Sequence, residues 1–399
     1  MTAAERRRIW WIIIGISLGP AVTNGFARFA YGLILPAMQD DLAWNFTQAG
    51  WINTANAIGY LIGSVLALAT ISRLGPRRLF VWGMALTALA LAFSALTRDL
   101  WILSFWRVMA GIGGAPVFIA GGAMASALFA GDRRRNALAI AVYFGGGGLG
   151  MLLTGISLPL FMDWFGDAGW PLAWLALGIG SYIAFVASFA AAEAAPEPEQ
   201  PEGEGGRMPA WRMVPVFWAY FLFGVGYIVY ITFLIAWMQA RGDGPMMVAG
   251  TWALMGIAVM ASPFIWAPVL ARSQAGGALS LTSLATGTGI LLPVLVPQTP
   301  AVLISAAMVG GSFFMIPTSV TNFCRKNLTA GQWGPAISLL TVIFSVGQII
   351  GPVGAGAIAD WVGTTAVSLA VGGMVLICGA LVALAQKPLM HPEPPDVRG

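Results

Sequence analysis

Long apolar runs separated by short polar breaks make up nearly the whole chain. A membrane-crossing helix needs about 20 mostly apolar residues. Dividing the chain at its charged or Gly/Pro-rich breaks gives twelve such runs, at roughly 9–38, 47–72, 79–97, 100–130, 135–163, 169–192, 213–240, 245–272, 277–296, 299–326, 333–360 and 363–386. One break differs from the rest. Residues 193–212 (EAAPEPEQPEGEGGRMPAWR) are rich in Pro, Glu and Gly, cannot bury a core, and read as a flexible linker. The pattern predicts an all-α protein with a six-helix bundle over 1–192, the linker 193–212, a second six-helix bundle over 213–390 and a short tail over 391–399.

Composition excludes a soluble protein. Of 399 residues, 58% are hydrophobic and 9% charged, the mean hydropathy is +0.81, and soluble domains carry roughly 25% charged residues. The pI of 9.3 does not point to nucleic acid, because the basic residues cluster between spans. They fall at Arg6-Arg7-Arg8, at Arg73, Arg77 and Arg78, at Arg133-Arg134-Arg135 and at Arg325-Lys326. Cytoplasmic loops collect Lys and Arg in this way. Of the 20 Lys and Arg residues, 16 fall on the side of the two chain ends, and only Arg98 and Arg241 fall opposite. Both termini are therefore expected in the cytoplasm, in a plasma or bacterial inner membrane. The apolar run after Arg8 continues past Pro20, as a retained first span rather than a cleaved signal would.

Little redox or metal chemistry is on offer. Cys324 and Cys378 are lone thiols, and the single histidine, His391, lies in the tail. No cofactor, metal or catalytic site is expected. Enzymes embedded in a membrane need acids, histidines or metal ligands there, so the chain does not read as an enzyme. The loops are too short for a partner domain, and a monomer is expected.

The two halves repeat. Gly25, Arg28 and Tyr31 in the first span share their spacing with Gly224, Tyr227 and Tyr230 in the seventh, at an offset of 199 residues. The same offset relates Met109 to Met308, Gly111 to Gly310 and Gly148 to Gly347. Parallel six-span repeats around a midplane site are one secondary-transporter architecture.

The segments Gly25-Phe26-Ala27-Arg28-Phe29-Ala30-Tyr31, Leu35-Pro36-Ala37-Met38, Ala49-Gly50-Trp51 and Thr54-Ala55-Asn56-Ala57-Ile58-Gly59-Tyr60-Leu61 carry a resemblance, as do Gly224-Val225-Gly226-Tyr227-Ile228 and Thr232-Phe233-Leu234. In these the chain resembles the YbfB/YjiJ-like branch of the major facilitator superfamily (MFS). The resemblance implies twelve helices in two pseudo-symmetric bundles and alternating access to a central cavity. Where the superfamily places an Asp-led basic motif, this chain has Ser72-Arg73-Leu74-Gly75-Pro76-Arg77-Arg78. Without the Asp, Arg73, Arg77 and Arg78 are left as inside-positive anchors around Gly75. Arg107-Val108-Met109-Ala110-Gly111-Ile112-Gly113-Gly114 is similar to the superfamily's fourth-span motif. Gly351-Pro352 in the eleventh span is similar to its Gly-Pro pair, which the glycine-rich fifth span lacks.

Arg28 and Arg107 are the charged residues that fall well inside spans, with no acid beside them. A central Arg costs about 2.5–3.5 kcal/mol on insertion scales, so such a residue points to function. Arg107, Gly111 and Gly114 share a helix face, which suits either tight packing, with the guanidinium on carbonyls freed near Gly19-Pro20, or substrate contact. Asn24, Arg28 and Tyr31, at i, i+4 and i+7, predict a polar stripe facing the cavity, with Tyr227 and Tyr230 opposite. Alternatively Arg28 bonds backbone carbonyls, or Asn53 and Asn56. Further polar candidates are Tyr143, Asn322 and Gln348. With no acid or histidine in the spans to carry a proton, the expected function is uniport or exchange of a small organic anion, a carboxylate above all, or symport with the substrate's own proton. The alternative is an exporter of amphipathic drugs or metabolites, suggested by the abundant aromatics and Met.

Overall fold

The computed structural model describes residues 3–129, 132–196 and 208–389, without the side chains of 3, 4, 133, 134 and 330. His391, the tail and the middle of the linker lie outside the described residues. Nearly all of the rest is helix, because backbone N–H and C=O groups in hydrocarbon have no water to bond and must pair within the segment.

The first span is three pieces: α1 (Ala3–Pro20), a π-helical stretch (Ala21–Phe29) and α2 (Tyr31–Leu42). Then follow α3 (Phe46–Leu74), α4 (Pro76–Ser94), α5 (Leu100–Ala127), α6 (Arg133–Phe165) and α7 (Trp170–Ala194). The second half contains α8 (Val214–Ala240), α9 (Pro245–Arg272), α10 (Gly277–Leu295), α11 (Thr299–Phe313), α12 (Met315–Asn327), α13 (Ala330–Val362) and α14 (Thr365–Leu384). Together they give 12 candidate membrane spans, with α11 and α12 sharing the tenth. Helical structure reaches into both ends of the expected linker, through Ala194 on one side and a 3-10 turn at Ala210–Met213 on the other.

Local signals set the helix ends. Asn45 accepts from Gln48 N while Gln48 Oε1 accepts from Asn45 N, a reciprocal cap on α3. Gly75, at φ 79°, turns α3 into α4, and Pro76 starts the new helix where a missing N–H costs nothing. Asp99 caps α5 and Thr364 caps α14.

In the first bundle α5 packs on α3 and α4, while α1 lies against α6 and α7; in the second, α8 packs on α13 and α14, and α11 on α9 and α10. The repeat is visible in these contacts. Gly111 on α5 lies against the carbonyl of Asn56 on α3, and Gly310 on α11 against the carbonyl of Met255 on α9. The same 199-residue offset relates 56 to 255.

The bundles meet along three pairs, α6 with α9, α3 with α13 and α2 with α8. Glycines let backbones approach here, as in other membrane interfaces. Gly50 lies against Pro352, Gly356 against Phe46, and Gly148 against Gly256. Hydrogen bonds between the bundles cluster from mid-depth to the end of the molecule away from the chain ends. Asn53 Nδ2 donates to Thr232 Oγ1 (2.6 Å) and Thr54 Oγ1 to the Ile349 carbonyl (2.8 Å). At the far end Asp360 accepts from Phe46 N (2.8 Å) and Thr47 N (2.9 Å).

Candidate functional site between the bundles

Arg28 lies in the π-helical stretch, where Ala30 N donates to Gly25 O (2.9 Å), five residues back. The α-helical ladder of α1 ends at Pro20, and Thr23 Oγ1 donates to Gly19 O (3.0 Å). The wider turn is held by α6, whose Gly146 and Gly150 lie against the carbonyls of Ser17 and Ala21. Single π turns recur at functional sites in other helices.

Arg28 is 4% exposed. Its guanidinium reaches across the interface and donates from Nη2 to Gln348 Oε1 on α13. Gln348 Nε2 in turn donates to the Tyr227 hydroxyl (3.0 Å) on α8. The Tyr60 ring of α3 lies 5.2 Å from the guanidinium carbon, a cation–π distance. Arg28 Nε has no partner. Ion pairs form elsewhere, at Arg77–Glu193, Arg98–Asp41, Arg135–Asp132 and Arg241–Asp243, and none of these includes Arg28. This cation is therefore paired with a neutral amide of the opposite bundle.

Arg107, 1% exposed, stays inside the first bundle. Its Nη2 donates to the Ala27 carbonyl of the π stretch, rather than to the Gly19-Pro20 region expected from sequence. Trp174 and Tyr31 face the guanidinium at 4.9 and 5.8 Å. Its own carbonyl accepts from Asn56 Nδ2 (3.1 Å). Gly111 and Gly114 leave room for α3 and for Thr23 of the π stretch.

Of the expected stripe of Asn24, Arg28 and Tyr31, it is Tyr31, just beyond the π stretch, that turns away into the first bundle. Tyr31 donates to the Ala49 carbonyl (2.6 Å) and stacks on Trp174. Asn24 lies beside Gly147 with its amide nitrogen unpartnered. Three further candidates sit elsewhere. Tyr143 donates to Val117 O (2.7 Å), Tyr230 pairs with Ser305 (2.8 Å), and Asn322 donates to Leu270 O (2.9 Å). Of the basic motif, Arg77 ties α4 to the end of α7, donating to Ala195 O (2.8 Å) near Glu193. Gly351 packs on Val225 and Ile228 of α8, and the neighbouring Pro352 carbonyl faces Gly50.

Sequence reasoning missed Tyr60 as a site residue, although it shares a face of α3 with Asn53 and Asn56 at i, i+3 and i+7. It also missed Asp360 as an inter-bundle partner. Among the described residues no group of three His, Cys, Asp or Glu could hold a metal.

Comparison with known proteins agrees with this architecture. The family described as "Uncharacterised MFS-type transporter YbfB" matches residues 20–384. The Escherichia coli O157:H7 inner membrane transport protein YdhP is 22% identical over 94% of each chain. A Haemophilus influenzae protein named as a metabolite transporter is 31% identical over 45% of this chain and 42% of its own length. Mouse Monocarboxylate transporter 11 is 29% identical over 42% of this chain and 36% of its own. This chain thus spans less than half the length of the latter two. A mutant of the nucleoside transporter NupG superposes with a TM-score of 0.72 at 14% identity, covering 95% of this chain and 99% of that one, which shows a shared fold. The chain is an integral membrane protein of the major facilitator superfamily and belongs to its YbfB-type family of transporters.

Proposed function

We propose that this transporter moves a small organic anion, specifically a carboxylate, by rocking its two bundles about a central site where Arg28 is the charge partner. The observation that carries this reading is the state of Arg28: a buried guanidinium held by a neutral carboxamide of the other bundle, with Nε unpartnered. A planar guanidinium suits a carboxylate through two parallel charge-assisted hydrogen bonds. The substrate would take the place of Gln348 on Arg28 and accept a further bond from the Tyr227 hydroxyl. Tyr31, Asn56 and Arg107 then form the wall that fixes the π stretch, while Tyr143, Tyr230 and Asn322 serve helix packing. The similarity to a protein named as a monocarboxylate transporter favours the same substrate class.

The charge asymmetry of the loops supports cytoplasmic termini. In that orientation the hydrogen bonds that join the bundles lie at mid-depth and toward the outer face. Neutralising Arg28 on binding lowers the cost of carrying it through the occluded state. With no carboxylate in the central site, coupling falls to exchange, uniport or a proton carried by the substrate.

A thermal-shift screen of the purified protein tests the substrate class. Ligand at 100 times its Kd stabilises by about 2.7 kcal/mol. Mono- or dicarboxylates should raise the melting temperature of the native protein and leave Arg28→Gln unmoved. Stabilisation by amphipathic cations, retained in Arg28→Gln, would contradict the reading.

A further inference from the structure

Tyr227, which holds Gln348, is also one ring of a stack. Tyr220, Phe223 and Tyr227 share a face of α8 at i, i+3 and i+7, Phe344 joins them from α13 and Phe313 from α11. Phe223 and Tyr227 lie 4.5 Å apart with planes 20° apart, and Tyr220 and Phe344 4.9 Å apart at 15°. Phe223 meets Phe344 at 5.3 Å and 10°, and Tyr227 meets Phe313 at 5.7 Å and 19°. These rings from three helices are thus nearly parallel. Aromatic pairs have both offset-stacked and edge-on arrangements open to them, and the first bundle meets this cluster edge-on. Phe29 contacts Phe313 at 75° and Phe314 at 79°.

Position gives the stack a use. It runs along α8 from the side of the chain ends to the depth of Gln348 and Arg28. It belongs wholly to the second bundle, whereas Arg28 belongs to the first. Arg28 reaches this stack through Gln348 and the Tyr227 hydroxyl, so parting of the bundles would leave the guanidinium opposite this wall of rings. In this conformation the rings are buried, Phe344 and Tyr220 at 8% and 7% exposure and Phe223 and Phe313 at 1% and 2%, so the wall is offered to a ligand only as the bundles part. The guanidinium itself already lies over the Tyr60 ring. A ligand with an anionic head and a planar ring would put the head on Arg28 and the ring on this wall.

We propose that the transported anion is an aryl carboxylate, with its carboxylate on Arg28 and its ring stacked against Tyr227 and Phe344. This rests on the carboxylate reading of Arg28 and narrows it. The stack would favour a flat ring over a saturated one of equal carbon count, because only the flat ring offers a π face to the wall.

The test is competition counterflow in liposomes reconstituted with the full chain, using radiolabelled benzoate and phenylacetate as probes. The competitors are cyclohexanecarboxylate, cyclohexylacetate, acetate and neutral phenylacetamide. Aryl carboxylates are expected to bind at least tenfold tighter than acetate, since apolar groups in a pocket discriminate by roughly 10–200-fold, and severalfold tighter than their cyclohexyl counterparts. Phe344→Leu should collapse the aryl-over-cyclohexyl ratio towards one. That ratio is read within one protein, so it does not depend on expression level. Should Phe344→Leu fail to fold, Tyr227→Leu removes the other ring of the proposed contact and gives the same within-protein ratio. If aryl and cyclohexyl carboxylates bind equally to the native protein, or the ratio survives both variants, the aryl proposal is overturned while the carboxylate reading stands. If phenylacetamide competes as well as phenylacetate, the carboxylate reading itself falls.

Discussion

Removing the Asp360 carboxylate should open the far end of the transporter. Asp360 lies in the last turn of α13, where a negative charge opposes that helix's own dipole, yet it meets the positive N-terminus of α3 in the other bundle. There it accepts from Phe46 N at 2.8 Å, Thr47 N at 2.9 Å and Thr47 Oγ1 at 2.5 Å. Asn45 satisfies the next free donor, Gln48 N. Asp360 thus completes the cap of a helix to which it does not belong, and only while the far ends touch. Caps are worth about 0.5–2 kcal/mol, and exposure to solvent trims any added charge effect. Asp360→Ala should therefore cost the far-end-closed state about 1–2 kcal/mol, a shift of roughly fivefold to thirtyfold in the closed-to-open ratio. Spin labels at the exposed residues Leu96 and Leu295, in a background lacking Cys324 and Cys378, would report the separation of the far ends by double electron–electron resonance. Growth of a longer-distance population in Asp360→Ala is expected, with Asp360→Asn in between. An unchanged distance distribution in a folded Asp360→Ala protein would refute the latch.

Two other changes separate the arginines and their partners. Arg107→Ala strips the Ala27 carbonyl of its donor and leaves a cavity beside Trp174 and Tyr31; it should lower the melting temperature, by a loss of about 2–4 kcal/mol, while ligand affinity in the folded fraction changes less than threefold. Gln348→Glu places an acid against Arg28 inside the protein. Titration calorimetry should then show at least a tenfold loss of carboxylate affinity, whereas Gln348→Leu, which frees Arg28, should retain binding.

Much of the architecture was legible because the bilayer imposes it. Apolar length and the polar breaks placed the twelve spans to within a few residues, and the 199-residue offset that pairs Gly111 with Gly310 reappears in their contacts with Asn56 and Met255. The site was less legible, for two physical reasons. Helical arithmetic assumes 3.6 residues per turn, and the π stretch Ala21–Phe29 breaks it, so Tyr31 faces Trp174 while Arg28 faces Gln348. The remaining partners depend on how the bundles dock. Nothing local to Asp360 predicts a bond to Thr47, 313 residues away, and Phe344 in an apolar span reads like any lipid-facing ring.

Arg28 receives the anion in this mechanism, and substrate counterflow by Arg28→Ala in liposomes probes that contact. Losing charge-assisted hydrogen bonds of about 1.5–3 kcal/mol each should weaken the apparent affinity for the anion at least tenfold, with the protein still folded and monodisperse. Transport of an anionic substrate by folded Arg28→Ala with unchanged apparent affinity would show that Arg28 is not the charge partner.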